Sequence, residues 1–249
     1  MINSHIRMPK CVLKQFADEK HFVYFWNIET GWIQKSHAES INTKEDYFSE
    51  EVEHFLRDNI ETPLGHILNF IKSIDPNIPE FSMDNDKKTV IRRYVCALVA
   101  RSQLMLVQMS KMSVFAPSMS VRDLHDVAAV IGIAEAINSQ LFEDWEITFM
   151  VNHTENTFVL PLCGTYSYAY NGDPMFNVPI TPNYAITFMP QAVAHKYVIG
   201  RKMRLFPLVD SERAMQFNML ALSSEQKDGN YGIAANSRQI LEKMKASIE

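Results

Sequence analysis

Arg101 and Asn218 are polar residues standing where helix periodicity calls for apolar ones. Arg101 has Ala97, Leu98, Leu104 and Met105 at the i±3 and i±4 positions, and Asn218 is flanked in the same way by Ala214, Met215, Ala221 and Leu222. If both segments are helices, the two side chains point into hydrophobic stripes. A buried guanidinium needs a carboxylate or an anionic ligand, because an unpaired buried charge costs about 3–5 kcal/mol. Glu61 is a candidate counter-ion. With it, Arg101 and Asn218 either form a polar pocket in which Arg101 binds phosphate or carboxylate and Asn218 orients it, or they are internal struts. His5 is a candidate general base if Glu61 lies within hydrogen-bond reach of it. His5, Glu61 and Arg101 are thus the catalytic candidates, and Arg101 and Asn218 the ligand-binding ones.

A second chemistry is suggested by Tyr166, Tyr168 and Tyr170, an alternating stripe able to stack exposed bases. The basic residues Lys196, Arg201, Lys202 and Arg204 follow and could hold phosphates. The competing reading is a hairpin face packed on a helix beside a solvated basic turn. Formal net charge is −5, so no global basic field draws the chain to nucleic acid or anionic membrane, and nucleic acid is not the favoured partner. The eight histidines show no metal-ligand spacing; His125-Asp126 are adjacent and face apart on a helix, so no metal site and no cofactor are expected. Gly-x-Ser-x-Gly and phosphate-cradling glycine loops are both absent from the sequence.

The elements that must position these residues read as follows. Residues 21–34 suggest a hairpin turning at Glu29-Thr30-Gly31. Ser49 is a plausible N-cap for a helix through Val52, Phe55, Leu56 and Ile60. Pro63 cannot continue that helix unbroken and fits as the first residue of another, capped by Thr62, which leaves Glu61 at a kink. A long helix is predicted from about Thr89 to Met112. Ser120 with Asp123 resembles a capping box opening an Ala-rich helix to Leu141. Alternation over Trp145–Val151 and Tyr184–Phe188 predicts strands, and Asn171-Gly172 predicts a hairpin turn after the tyrosine stripe. Two helices close the chain, one after Asp210-Ser211.

This order predicts an α+β fold: a helical part at about 49–142 packed on a mainly antiparallel sheet at about 144–209, closed by helices at 211–246. With 249 residues, 47% hydrophobic and 21% charged, and no evident linker, one domain is expected. Cys11, Cys96 and Cys163 are few and scattered, which suits reduced thiols in a cytoplasm. The first residues lack the apolar run of a secretory signal, and Val95–Ala100, the longest apolar run, falls far short of the roughly 20 residues that span a bilayer.

The chain also resembles a bacterial domain-of-unknown-function family whose members open with His-Tyr-x-Pro-x-x-x-Leu-x-x-Phe. Pro9-Lys-Cys-Val-Leu13-Lys-Gln-Phe16 is similar to the second half of that signature. Ile60-Glu61 resembles the family's Ile-Glu helix, Arg101-Ser102 its Arg-Thr-Pro stretch, and Val178-Pro-Ile-Thr-Pro182 its Pro-Leu-Ser-Pro strand entry; Trp145 and Asn218 match a Trp and a late helix Asn. Two positions depart from it. Ile6 stands where the family has His, with His5 one residue earlier, and Leu162 stands at the Asp of Ser-Asp-Asn-Pro. The resemblance implies a layout and no reaction. The leading expectation is a cytoplasmic binding or interaction protein with a buried Arg101-centred pocket for an anionic ligand or a protein partner. The alternatives are a phosphodiester or nucleotide hydrolase, nuclease-like, using His5 and Glu61 with Arg101 stabilising charge, and single-strand nucleic-acid binding.

Overall fold

A computed structural model describes residues 3–102, 120–138, 142, 144–170, 172–195, 198–199, 202–229 and 231–249. The fold is α+β. Strand β1 (Asn3–His5) pairs antiparallel with β4 (Thr43–Glu45), and helix α1 (Lys10–Leu13) follows Pro9. The expected hairpin is β2 (Phe22–Trp26) with β3 (Ile33–His37), turning through Gly31 at φ +72°.

Two larger sheets carry the structure. The first has five strands in the order β13-β6-β10-β9-β8: β6 (Trp145–Asn152), β8 (Tyr166–Tyr170), β9 (Asp173–Pro179), β10 (Tyr184–Pro190) and β13 (Phe206–Leu208). Only the β13–β6 pairing is parallel. Tyr170 pairs with Asp173 and Gly172 holds φ +85°, which fits the predicted hairpin turn between β8 and β9. The second sheet, β3-β2-β14-β7, joins β2 and β3 to β7 (Leu160–Pro161) and β14 (Ile233–Ala235). Strands are therefore less segregated in sequence than expected, because residues near both ends and the middle of the chain share one sheet.

Strand alternation assigns each sheet two faces. Ile147, Phe149, Val151, Ile186, Phe188, Val23 and Ala234 face one core. That core is shared with helices α2 (Glu50–Leu56), α3 (Thr62–Lys72), α4 (Asn85–Ala100) and α5 (Val121–Asn138). Met150, Ala185, Trp26, Ile233 and Ala235 face a second core closed by α7 (Ser211–Asp228) and α8 (Arg238–Ala246). A short helix, α6 (Gln191–Ala194), precedes a small sheet of β11 (Val198–Ile199), β12 (Lys202–Arg204) and β5 (Glu80–Ser82).

Helix starts follow local chemistry. Ser49 Oγ accepts the Val52 N–H at 3.3 Å, and Asp210 accepts from Glu212 and Arg213. Ser120 and Asp123 form the reciprocal capping box, at 2.9 and 3.1 Å. Three expectations are corrected. α4 begins at Asn85, because Asp84 caps the Lys87 N–H at 2.8 Å. It ends at Ala100 with Arg101 as its C-cap, and Leu104, Met105, Met112 and Leu141 lie outside the described residues. Thr62 does not cap α3. α2 runs into α3 through a π-helical turn, Arg57–Glu61, in which the Thr62 N–H bonds the Arg57 carbonyl five residues back. Pro63 has no N–H to give and its ring crowds the carbonyl four residues earlier, so the widened turn lets the helix pass the proline without breaking.

Candidate functional site

The π turn decides which carboxylates share a face. Glu53 and Glu61 are eight residues apart, which on a regular helix puts them about 80° apart around the axis. A π turn absorbs one extra residue, so the separation behaves as seven, two turns, and the pair falls within about 20° of one face. The turn packs on α4, at whose end Arg101 sits. Glu53 therefore joins the site although the sequence reading passed it over. Its signal is the eight-residue spacing to Glu61 just ahead of Pro63.

Arg101 is only 3% exposed. Its Nε donates to the Ala97 carbonyl at 3.3 Å and its Nη1 to the His5 carbonyl at 3.4 Å. Nη2 is buried and has no hydrogen-bond partner. Two more buried atoms of the cluster share that condition, Glu53 Oε1 and His5 Nδ1. Burial holds the Glu61 carboxyl above its ordinary value; Arg101 opposes that shift and Glu53 adds to it. Burial likewise lowers Arg101, against the pull of Glu61, Tyr94 and Glu53. Yet Glu61 and Arg101 close no ion pair within 4 Å among the described contacts, so the expected strut is electrostatic proximity and not a salt bridge.

Arg7 supplies the contrast. It too is almost wholly buried, at 2%, but it is paired with Asp228 and stacked over the Tyr231 ring at 4.7 Å. One buried arginine has its carboxylate. The other has, among the described residues, two backbone carbonyls, although Arg7 Nη1 is likewise a buried donor without a hydrogen-bond partner.

His5 is held in β1, not frayed at a terminus, and its imidazole is half-buried. Its pKa is lowered to about 4, first by burial and then by Lys10 and Arg101. The imidazole is neutral at pH 7, and it presents a buried Nδ1. An unfolded histidine, near 6.5, takes up a proton that folded His5 refuses until about pH 4. This contribution to stability is constant above pH 6.5 and is lost as pH falls from 6.5 toward 4, by up to about 3 kcal/mol. Urea midpoints at pH 7 and pH 5 should therefore fall further apart in wild type than in His5→Gln; equal losses would contradict the assignment.

Burial, with Glu61, pushes Cys11 up to about 12, and burial pushes Cys163 up as well, so neither is a thiolate nucleophile. None of the three cysteines is joined in a disulfide. On one side of Arg101, a narrow crevice lined by Ile6, Tyr47, Phe48, Ala100, Arg101, His125 and Ala129 is too tight to admit water. His125 is stacked on Tyr47 at 3.9 Å, and Asp126 accepts the Ser49 N–H, so that adjacent pair serves packing and capping.

The remaining candidates lie elsewhere. Asn218 is not brought to Arg101. Its Oδ1 accepts the Val159 N–H at 3.1 Å and its Nδ2 donates to the Thr157 carbonyl at 2.9 Å, which spends the amide on the lead into β7. Tyr166 is 2% exposed and bonds Asn177 at 3.0 Å. Tyr168 sits edge-on to Phe217 of α7 at 5.0 Å, and the Arg213 guanidinium lies 5.5 Å from the Tyr170 ring. The stripe thus faces α7, and Tyr166 offers no open platform for bases. Lys202 and Arg204 are exposed on β12, Lys202 4.0 Å from Glu80, whereas Lys196 and Arg201 lie outside the described residues. Arg204 borders a cleft of about 640 Å³ with Pro79, His153 and Pro207, which gathers no buried titratable cluster.

Among the described residues no three His, Cys, Asp or Glu are grouped to hold a metal ion, and no helix is long and apolar enough to cross a membrane. Comparison with protein-family models, with curated proteins and with solved structures returns no match for this chain.

Proposed function

We propose that the chain is a soluble cytoplasmic binding protein whose Arg101 centre receives a small anionic group, a phosphate or a carboxylate. The observation that carries this reading is the buried Arg101 Nη2 with no partner. A guanidinium kept from water without a carboxylate is costly in the ligand-free protein, and an oxyanion supplies what it lacks. Two stretches of the family resemblance, Ile60-Glu61 and Arg101-Ser102, contribute to the Arg101 centre, and this supports the same reading; the His5 carbonyl also accepts from Arg101, although the family's own His position is Ile6 here. The crevice beside Arg101 is closed in the free protein, so a ligand entering by it parts the Tyr47–His125 wall.

Calorimetric titration with inorganic phosphate tests the reading. Wild type should show a saturable signal at millimolar phosphate or below, and Arg101→Met none while remaining folded. A wild type silent to both phosphate and acetate would overturn it. A second reading, phosphodiester hydrolysis, is favoured by one observation: a carboxyl with a raised pKa and a neutral imidazole each act on the same Arg101 guanidinium. Phosphodiester cleavage that falls about 100-fold or more in both Glu61→Gln and His5→Ala would carry that reading over binding alone.

A further inference from the structure

We propose that Glu53 is a ligand-binding residue of the Arg101 centre, and that it makes the centre select an oxyanion carrying a proton, such as hydrogen phosphate, over one carrying none, such as sulfate. This rests on the anion-binding reading above and adds the chemistry of what is bound. Two facts of placement support it. The π turn rotates Glu53 onto the face of Glu61, that turn packs on α4, and both carboxyls act electrostatically on Arg101. Glu53 Oε1 and Arg101 Nη2 are then a buried acceptor and a buried donor, each without a partner.

A ligand that satisfies only one of them leaves the other stranded, which costs as much as a lost charged hydrogen bond. An ionised carboxylate is acceptor-only. Sulfate near neutral pH brings acceptors alone, so its oxygens meet Arg101 well and Glu53 badly. Inorganic phosphate near pH 7 keeps at least one P–O–H, which donates to Glu53 Oε1 while the other oxygens accept from Arg101. The centre is then complementary to the proton as well as to the charge. Glu61 on the same face, its carboxyl raised by burial, adds a second group able to share that proton.

The test compares phosphate and sulfate titrations at matched ionic strength and pH 7, on wild type, Glu53→Gln and Arg101→Met. Wild type should prefer phosphate by about tenfold or more. Glu53→Gln offers an N–H in place of an acceptor, so it should bind sulfate more tightly than wild type and bring the preference to within about threefold. Arg101→Met should bind neither. If wild type binds the two anions alike, or Glu53→Gln keeps the preference, the role of Glu53 is overturned while Arg101 remains an anion site. If wild type binds neither, both readings fall.

Discussion

Asp228→Ala should lose about 3 kcal/mol or more of stability, because it leaves Arg7 buried with no carboxylate. Asp228 closes α7, and its partner Arg7 comes from the segment between β1 and α1, so the pair joins elements more than 200 residues apart in sequence. The Tyr231 ring at 4.7 Å covers the guanidinium but does not neutralise it. For a chain of this length the loss corresponds to a fall in Tm of about 6–12 °C. The double change Arg7→Met, Asp228→Leu should recover most of it, since no charge is then stranded. Thermal melts of the three proteins check this, and a single variant within about 1 kcal/mol of wild type would contradict it.

Glu225→Ala should cost a similar amount for a different reason. Glu225 is fully buried, and its two oxygens are shared between two backbone amides, Cys163 N–H at 2.6 Å and Gly232 N–H at 3.1 Å. Those amides belong to the turn after β7 and the approach to β14, which pair in the second sheet. The carboxylate thus joins that sheet to α7. Removing it leaves two buried donors unsatisfied, each worth about 1–3 kcal/mol, or about 4 kcal/mol together. The amides have little freedom to turn elsewhere: Gly232 holds φ +138° with Phe25 and the Trp26 carbonyl where a Cβ would stand. Glu225→Gln keeps one acceptor but turns an NH₂ toward the other donor, so it should lose about half as much. Urea unfolding separates the two, and an alanine variant no worse than the glutamine one would contradict the double-acceptor role.

Much of this arrangement is legible in the residue order, where the signal is local. Ser49, Ser120-Asp123 and Asp210 cap helices because a short polar side chain meets an orphan N–H within three residues. Asn171-Gly172 and the 21–34 segment declare their hairpins for equally local reasons. Arg101 was legible as a buried charge, and Glu61 as a residue displaced by Pro63. What periodicity could not supply was the partner. Asn218 obeys the same polar-in-apolar rule as Arg101, yet its amide is spent on the 157–159 backbone, a long-range contact that spacing does not encode. Tyr166, Tyr168 and Tyr170 alternate as a strand face must, and alternation alone does not distinguish a face turned to solvent from one covered by α7. Glu53 was missed because counting 3.6 residues per turn through a π turn puts it on the wrong face. Arg7 and Asp228 were missed because nothing within either segment marks them as a pair.

The central claim is that Arg101 and Glu61 are kept for a ligand and not for folding. The melting temperature of Glu61→Leu, Arg101→Met against wild type, in buffer free of phosphate and sulfate, tests it most directly. Among the described residues neither closes an ion pair, and each suffers burial, so replacing both with apolar side chains of similar size should give a protein that melts at or above wild type. A loss of several kcal/mol would make the two residues struts and contradict the claim.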